Sequence, residues 1–320
     1  MKDLFSRRIN YMRISITDLC NLRCQYCMPE EGICKKDHDD ILSLEEIVEI
    51  VKAGAKLGID KVRITGGEPL VRNGIVEFIQ MISNIEGIKD IAITTNGILL
   101  PKYGQALKNA GLKRVNISID SLKPGKYKEI TRGGDLSKVL DGINEAIRLG
   151  LTPVKLNVVA IGGYNDDEIG DFIELTKDKP IDVRFIELMP IGEASEWGKD
   201  RFISNEDIKN KFIDLVPTET EPSSPAKYYK LPGGKGRVGF INPISNHFCG
   251  DCNRLRLTSD GKLKPCLHSN NEIDILEVAR KNPERIYDVL KSAILSKPEK
   301  HDLYSEDHEE SNRSMFQIGG

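Results

Sequence analysis

No apolar run in this 320-residue chain reaches the length needed to cross a bilayer. The opening Met1-Lys2-Asp3-Leu4-Phe5-Ser6-Arg7-Arg8 lacks the apolar stretch of a secretory signal. An excess of one charge sign is missing too. The 46 basic and 49 acidic residues leave a net charge of −3, so no bulk attraction to nucleic acid or membrane is expected. Any anionic ligand must then be held by cations placed locally. Long low-complexity segments are absent. The cysteines do not suit pairing: there are seven, an odd number, gathered in two groups. They read as metal ligands in a reducing compartment, and a cytoplasmic location is expected.

The first group is Cys20-Asn21-Leu22-Arg23-Cys24-Gln25-Tyr26-Cys27, a C-x₃-C-x₂-C run directly after a short strand. Three thiolates this close suit three irons of a 4Fe–4S cubane. No fourth cysteine follows at a ferredoxin-like spacing, so one iron stays open to a small molecule, as in open catalytic metal sites. Cys34 lies beyond a Pro-Glu-Glu-Gly turn and is left as a spare thiol. The run, with Tyr26 before its last cysteine, resembles the signature of the radical S-adenosylmethionine (SAM) superfamily. That resemblance implies an open iron chelated by the amino and carboxylate groups of SAM.

Tyr11–Ile16 alternates well enough for a first strand. Ser43-Leu44-Glu45-Glu46 has the form of a capping box before a helix that Gly58 stops. Strands are then predicted at 61–64, 90–94, 114–119, 153–159 and 181–186, with helices at 72–86, 101–110, 135–149 and 166–178. Asn165 and Glu168 are expected to repeat the capping logic. Six strands, most followed by a helix, argue for parallel units of one hand. They are too few for a complete eight-stranded barrel, so an open, partial (β/α)6 barrel of the α/β class is expected, with its chemistry at the C-terminal strand ends. Beyond residue 215 the pattern changes to a linker-like stretch, short extended pieces at 237–241 and 254–258, a hairpin turn at Asp260-Gly261, and helices near 272–281 and 284–295.

Several motifs fall at strand ends. Thr65-Gly66-Gly67-Glu68-Pro69 offers a glycine backbone that can approach a ligand closely. Arg13, Arg63, Lys155 and Arg184 interrupt otherwise apolar strands, where a charge must face a partner or a polar cavity. Internal salt bridges would explain each singly. Together they favour a polyanion such as a triphosphate, since guanidinium grips phosphate oxygens bidentately. Thr94 adds a hydroxyl at the same end. The second cysteine group is Cys249-Gly250-Asp251-Cys252, then thirteen residues to Cys266. Spacing alone leaves open a zinc site completed by His247 or His268 and a second 4Fe–4S cluster with one iron open. Arg254 and Arg256 between them point to one side of a strand and suit an anionic substrate.

Taken together, Arg13, the Arg63-to-Pro69 run, Thr94-Thr95-Asn96-Gly97, Arg184-Phe185-Ile186-Glu187-Leu188-Met189, the second cysteine group with its arginines, and the terminal Gly319-Gly320 resemble the GTP 3′,8-cyclase family of molybdenum cofactor biosynthesis. The resemblance implies a radical SAM partial barrel over 1–215, closed on its open side by an auxiliary-cluster region over 216–320. It implies two 4Fe–4S clusters, held by Cys20, Cys24 and Cys27 and by Cys249, Cys252 and Cys266. SAM would lie near Tyr26, Gly67, Ser118 and Met189. GTP would lie between the clusters, guanine on the second and phosphates on Arg13, Arg63, Thr94, Lys155, Arg184, Arg254 and Arg256. A 5′-deoxyadenosyl radical from SAM would take the C3′ hydrogen of GTP, and C3′ would then bond to guanine C8. The tail, Gly319 and Gly320, would enter the site beside Arg254 and Arg256 and share their catalytic role. Implied partners are an unidentified electron donor and a downstream pyranopterin-forming enzyme, with the chain a monomer or homodimer. A radical SAM peptide-modifying maturase and a zinc-binding scaffold are the competing readings.

Overall fold

The structure is a computed structural model and describes residues 1–301, 303 and 311–319. Six strands run parallel in chain order: β1 (Tyr11–Ser15), β2 (Lys61–Thr65), β3 (Asp90–Thr95), β4 (Arg114–Ser118), β5 (Val154–Ala160) and β6 (Ile181–Glu187). Between them run α1 (Leu44–Lys56), α2 (Ile75–Ser83), α3 (Leu100–Asn109), α4 (Pro124–Ile130) and α5 (Leu136–Arg148), then α6 (Ile169–Asp178) before β6. Right-handed crossovers of this kind wrap a sheet into part of a barrel.

Period-two alternation assigns the two faces of each strand. Met12 and Ile14, Val62 and Ile64, Ile91 and Ile93, Val115 and Ile117 are buried in one core with apolar residues of the helices, such as Ile47 and Val51 of α1. The alternate positions carry Arg13, Arg63, Thr94, Asn116, Asn157 and Arg184. A complete barrel fills its interior with branched apolar side chains. This interior is polar and cationic, and it holds a cavity.

The C-terminal region adds strands to both edges of the parallel set. After α7 (Ala194–Trp197) and α8 (Asn205–Asn210) come β7 (Val216–Pro217), β8 (Ala226–Lys230) and β9 (Arg237–Ile241), and β9 pairs parallel with β6. Further on, β10 (Arg254–Leu257) pairs parallel with β1, followed by antiparallel β11 (Lys262–Lys264) and β12 (Ile273–Asp274). The order is linear, β12-β11-β10-β1-β2-β3-β4-β5-β6-β9-β8-β7, so the sheet is open. Residues 242–253 cross from one edge of the parallel set to the other. Then α9 (Leu276–Lys281) and α10 (Ile286–Leu295) pack against α1, and α11 (Met315–Ile318) ends the described chain.

The Ser43–Glu46 capping box forms, and so does the hairpin around Asp260-Gly261. Three expectations need correction. The helix expected over 72–86 is only Ile75–Ser83, because Pro69 opens a short 3-10 turn and Gly74 interrupts before the helix starts. Arg72 instead reaches back to the carbonyls of Ile16 and Leu42. Asn165 does not cap a helix: its amide group donates to the carbonyls of Asp120 and Val159, and its oxygen accepts from Ile161 N–H. Glu168 accepts from Ser121 and Leu122 across the loop instead. A long-range bond has displaced the local one in both cases. The helix expected over 272–281 begins only at Leu276, because Ile273–Asp274 pairs with β11.

Candidate active site

The first cysteine loop leaves β1 at its C-terminal end and is fixed by backbone contact with the loop after β2. Gly67 N–H donates to Thr17 O at 2.8 Å and Glu68 N–H to Leu19 O at 2.8 Å. A Cβ at Gly67 would sit 2.5 Å from the carbonyls of Asp18 and Leu19, which is why glycine stands there. The amide of Gly67 therefore positions the cysteine loop. Glu68, fully buried, accepts from Thr95 Oγ1 at 2.8 Å and Asn96 N–H at 2.7 Å, and Asn96 Nδ2 donates to Asn21 Oδ1 at 2.7 Å. Burial lifts the Glu68 carboxyl to about 7 against these hydrogen bonds. Tyr26 OH donates to Asp120 Oδ2 at 2.6 Å, tying the loop to the segment after β4. Ser118 ends β4 on the same pleat face as Asn116.

Arg13, Arg63, Lys155, Arg184, Arg254 and Arg256 all line one cavity of about 260 Å³, with Met189 and the three cysteines of the second group. Register explains the convergence: Arg13 lies opposite Arg63 on one side and Arg256 on the other. Arg184 donates to the side-chain oxygens of Asn116 at 3.0 Å and Asn157 at 2.5 Å, while Arg63 lies over the Tyr11 ring at 5.6 Å. Those partners carry no full negative charge. The Nε atoms of Arg63 and Arg184 are buried with no hydrogen-bond partner among the described residues. Burial holds the pKa values of Arg63 and Arg256 down at about 10, and burial with the nearby Arg184 holds Lys155 down at about 7. Cations crowded and desolvated in this way favour a polyanion. Thr94 stands behind the cavity lining, where its hydroxyl accepts from Asn116 Nδ2 at 3.3 Å.

At the far side, Arg254 reaches Ser223 O at 3.2 Å and lies 4.0 Å from Cys252 Sγ. Burial would raise the Cys252 thiol, but Lys297 and Arg254 bring it to about 7. Arg256 donates to Ile318 O at 3.2 Å and Gly319 O at 2.8 Å, so the tail lies against a residue that lines the cavity. Gly320 lies outside the described residues. Cys34 is a free, exposed thiol.

The Radical SAM superfamily matches residues 14–176, and the Molybdenum Cofactor Synthesis C family matches 181–303. The chain is 83% identical to the GTP 3′,8-cyclase of Alkaliphilus oremlandii (strain OhILAs), across the full 320 residues and all of both chains. The chain belongs to the GTP 3′,8-cyclase family. A second member of that family, from Alkaliphilus metalliredigens (strain QYMF), is 72% identical, again over all of both chains. Among solved structures, Streptococcus suis SuiB bound to precursor peptide SuiA is similar at a TM-score of 0.60. The match covers 98% of this chain and 77% of SuiB at 14% identity, which speaks for the fold alone.

A GTP 3′,8-cyclase uses 4Fe–4S clusters and SAM, and the donor sets here fit them. Burial drives the thiols of Cys20 to about 11 and Cys27 to about 12, and it raises Cys24 as well. Three half-buried thiols in one loop, all pushed towards the neutral form, become stable thiolates only beside strong positive charge, which irons supply. The sequence reading of this cyclase missed Tyr11, Arg114, Asn116 and Asn157, which share the inner face with the cations. It missed Lys297 too, whose buried ammonium donates to Arg254 O at 3.0 Å and Pro265 O at 2.6 Å. The alternation of β4 and β5 could have flagged the two asparagines. Nothing local marks Lys297.

Proposed function

We propose that the chain converts GTP to 3′,8-cyclo-7,8-dihydro-GTP, the first step of molybdenum cofactor biosynthesis. One observation carries the reading: a buried cationic cavity, short of carboxylates, running from the barrel strands to the second cysteine group. In this reading residues 1–215 form the SAM-dependent unit and 216–320 the auxiliary-cluster unit. Cys20, Cys24 and Cys27 hold the first cluster, and Cys249, Cys252 and Cys266 hold the second. When bound, the clusters and SAM supply the electron and the carbon-centred radical that the reaction needs.

The chain's own residues bind and orient. Arg13, Arg63, Lys155, Arg184, Arg254 and Arg256 neutralise the triphosphate, and Thr94 supports Arg184 through Asn116. Tyr26, Gly67, Ser118 and Met189 shape the SAM side. Phe316 and Ile318, both buried, exclude water where the tail enters. Gly319 crowds the ribose side and helps to orient C3′ for the reaction, a catalytic role that the family resemblance extends to Gly320. An electron donor and a pyranopterin-forming enzyme that consumes the product complete the reading, with a cytoplasmic location and a monomeric or homodimeric chain. Among the described residues no helix is long and apolar enough to cross a membrane.

Anaerobic reconstitution followed by incubation with SAM, reductant and GTP tests the assignment. Mass analysis should find cyclised nucleotide and 5′-deoxyadenosine. Cys24→Ala should lose both, and Cys252→Ala should keep part of the SAM cleavage and lose the nucleotide. Cyclised product at the parent yield from Cys252→Ala would remove the second cluster from the reading.

A further inference from the structure

Both ends of the first cysteine segment converge on one turn of the C-terminal region. Asp18 precedes Cys20 and Lys36 follows Cys27, and Lys36 Nζ lies 2.9 Å from Asp18 Oδ2 and 3.3 Å from Asp260 Oδ2. The turn is the hairpin between β10 and β11. Its Ser259 hydroxyl donates to Asp18 Oδ1, and Ser259 O accepts from Leu42 N–H at 2.9 Å. The backbone of Asp18 is also where the glycine loop seats, since a Cβ on Gly67 would strike its carbonyl. Asp260 carries the connection onward, because its carboxylate accepts from Arg313 Nη1 at 3.0 and 3.1 Å. Arg313 stands just before the short helix that brings Gly319 to Arg256.

An isolated surface ion pair contributes little, because water and salt screen it. This arrangement differs in two ways. The side chains of Asp18, Asp260 and Arg313 are only 8%, 19% and 12% exposed, so their charges are poorly screened. The charges also alternate in sign, so that Lys36 and Asp260 are each held on two sides. Burial opposes the charge on Asp260, yet Thr258, Arg313 and Lys36 hold its carboxyl below the usual range. Without the Lys36 ammonium, Asp18 and Asp260 would have no cation between them. Each would keep another partner, Ser259 for Asp18 and Arg313 for Asp260, so the two segments would part without unfolding.

The segments joined in this way have different tasks in the proposed reaction. The cysteine loop serves radical generation, and the tail serves alignment of the substrate. We propose that Lys36 and Asp260 are positioning residues that couple the two, so that seating of the cysteine loop around SAM favours docking of the tail. The coupling is reciprocal, and a docked tail favours the seated loop by the same factor. The inference rests on the reading of the loop as the SAM side and of the tail as the aligning element.

Hydrogen exchange on the reconstituted, full-length protein tests the coupling without GTP. In the parent, SAM should slow exchange of the amides at 311–319 by at least about fivefold, the lower end of coupling between sites. In Lys36→Met, SAM should leave the exchange of the tail unchanged, and Lys36→Arg should restore the response. Asp260→Asn should behave as Lys36→Met does. The double variant should lose no more than either single one, because one link cannot be cut twice. With GTP added, cyclised nucleotide per 5′-deoxyadenosine should fall about tenfold in Lys36→Met, less than outright misplacement costs, and recover in Lys36→Arg. A general loss of stability would lower both products together and leave that ratio alone. A tail indifferent to SAM in the parent would overturn the proposal. So would a Lys36→Met protein whose tail responds as in the parent, or whose product ratio is that of the parent. Absence of cyclised nucleotide from the parent would instead sink the cyclase reading, and the exchange result would stand without it.

Discussion

Lys155 carries its ammonium into the cavity 3.2 Å from Tyr228 OH and 3.9 Å from Asp182. Burial, then Arg184, bring its pKa down to about 7 although Asp182 pulls the other way. Near neutral pH about half the molecules therefore lack this charge. A triphosphate would restore it, so its pKa in the complex is higher than in the empty protein. Binding then takes up a proton, and affinity is fully supported below about pH 7 and falls as pH rises towards the pKa of the complex. The terminal phosphate ionises near 6, below this window. GTP affinity should thus drop about tenfold between pH 7 and 8.5 in the parent, at most about 1.4 kcal/mol per unit. Lys155→Arg should be nearly flat, and equal slopes in the two proteins would exclude Lys155 from the phosphate site. The basic strand residues were legible because a charge in a covered strand is conspicuous. Asn116, Asn157 and Tyr11 were not, since an amide or a phenol in a strand has many ordinary uses.

The segment between β9 and β10 has no regular structure beyond one short turn at Cys249–Asp251, yet it carries two of the three cysteines of the second group. Glu187, the last residue of β6 and fully buried, anchors its start. It accepts from Ile244 N–H at 3.0 Å, Ser245 N–H at 2.9 Å and the Ser245 hydroxyl, and from Asn205 N–H at 3.2 Å. Removing the carboxylate strands several donors at about 1–3 kcal/mol each. Glu187→Ala should destabilise this region by about 3 kcal/mol and lower reconstituted iron from about eight to about four per chain, with the first cluster kept. Iron unchanged at eight would mean that the crossing is held from elsewhere. Elements with a full period in the sequence were readable, including the six parallel strands and the capped α1. The partners of β9 and β10 were not. A strand of four or five residues states its faces by alternation but says nothing of its neighbour. Helix α4 was missed for a related reason: seven residues beginning at Pro124 give too short a periodic signal.

At the scale of the whole molecule the tail joins parts that are distant in sequence. Arg313 is bound by Glu272 at 2.6 and 2.7 Å and by Asp260 at 3.0 and 3.1 Å, which clasps the tail to the C-terminal strands. Beyond the clasp, Met315 lines the cavity, and Arg256 holds the carbonyls of Ile318 and Gly319. Gly319 has φ 72° and rests against Thr65, the last residue of β2, where an added Cβ would come within 2.7 Å of the Thr65 methyl. A side chain there meets two penalties at once, the left-handed backbone at roughly 1–2 kcal/mol and the collision with a buried neighbour. Arg313 would still hold the segment, so the tail would be displaced by an ångström or so and not released. Misplacement on that scale costs about 10²-fold where bond formation depends on alignment. Gly319→Val should therefore retain both clusters and 5′-deoxyadenosine formation, with cyclised nucleotide per 5′-deoxyadenosine lower by about that factor, and Gly319→Ala should fall between. Paired quantification of the two products decides it. A ratio unchanged in Gly319→Val would show that the tail packs beside the chemistry without aligning it, and Arg256 would then bind phosphate without help from the chain end.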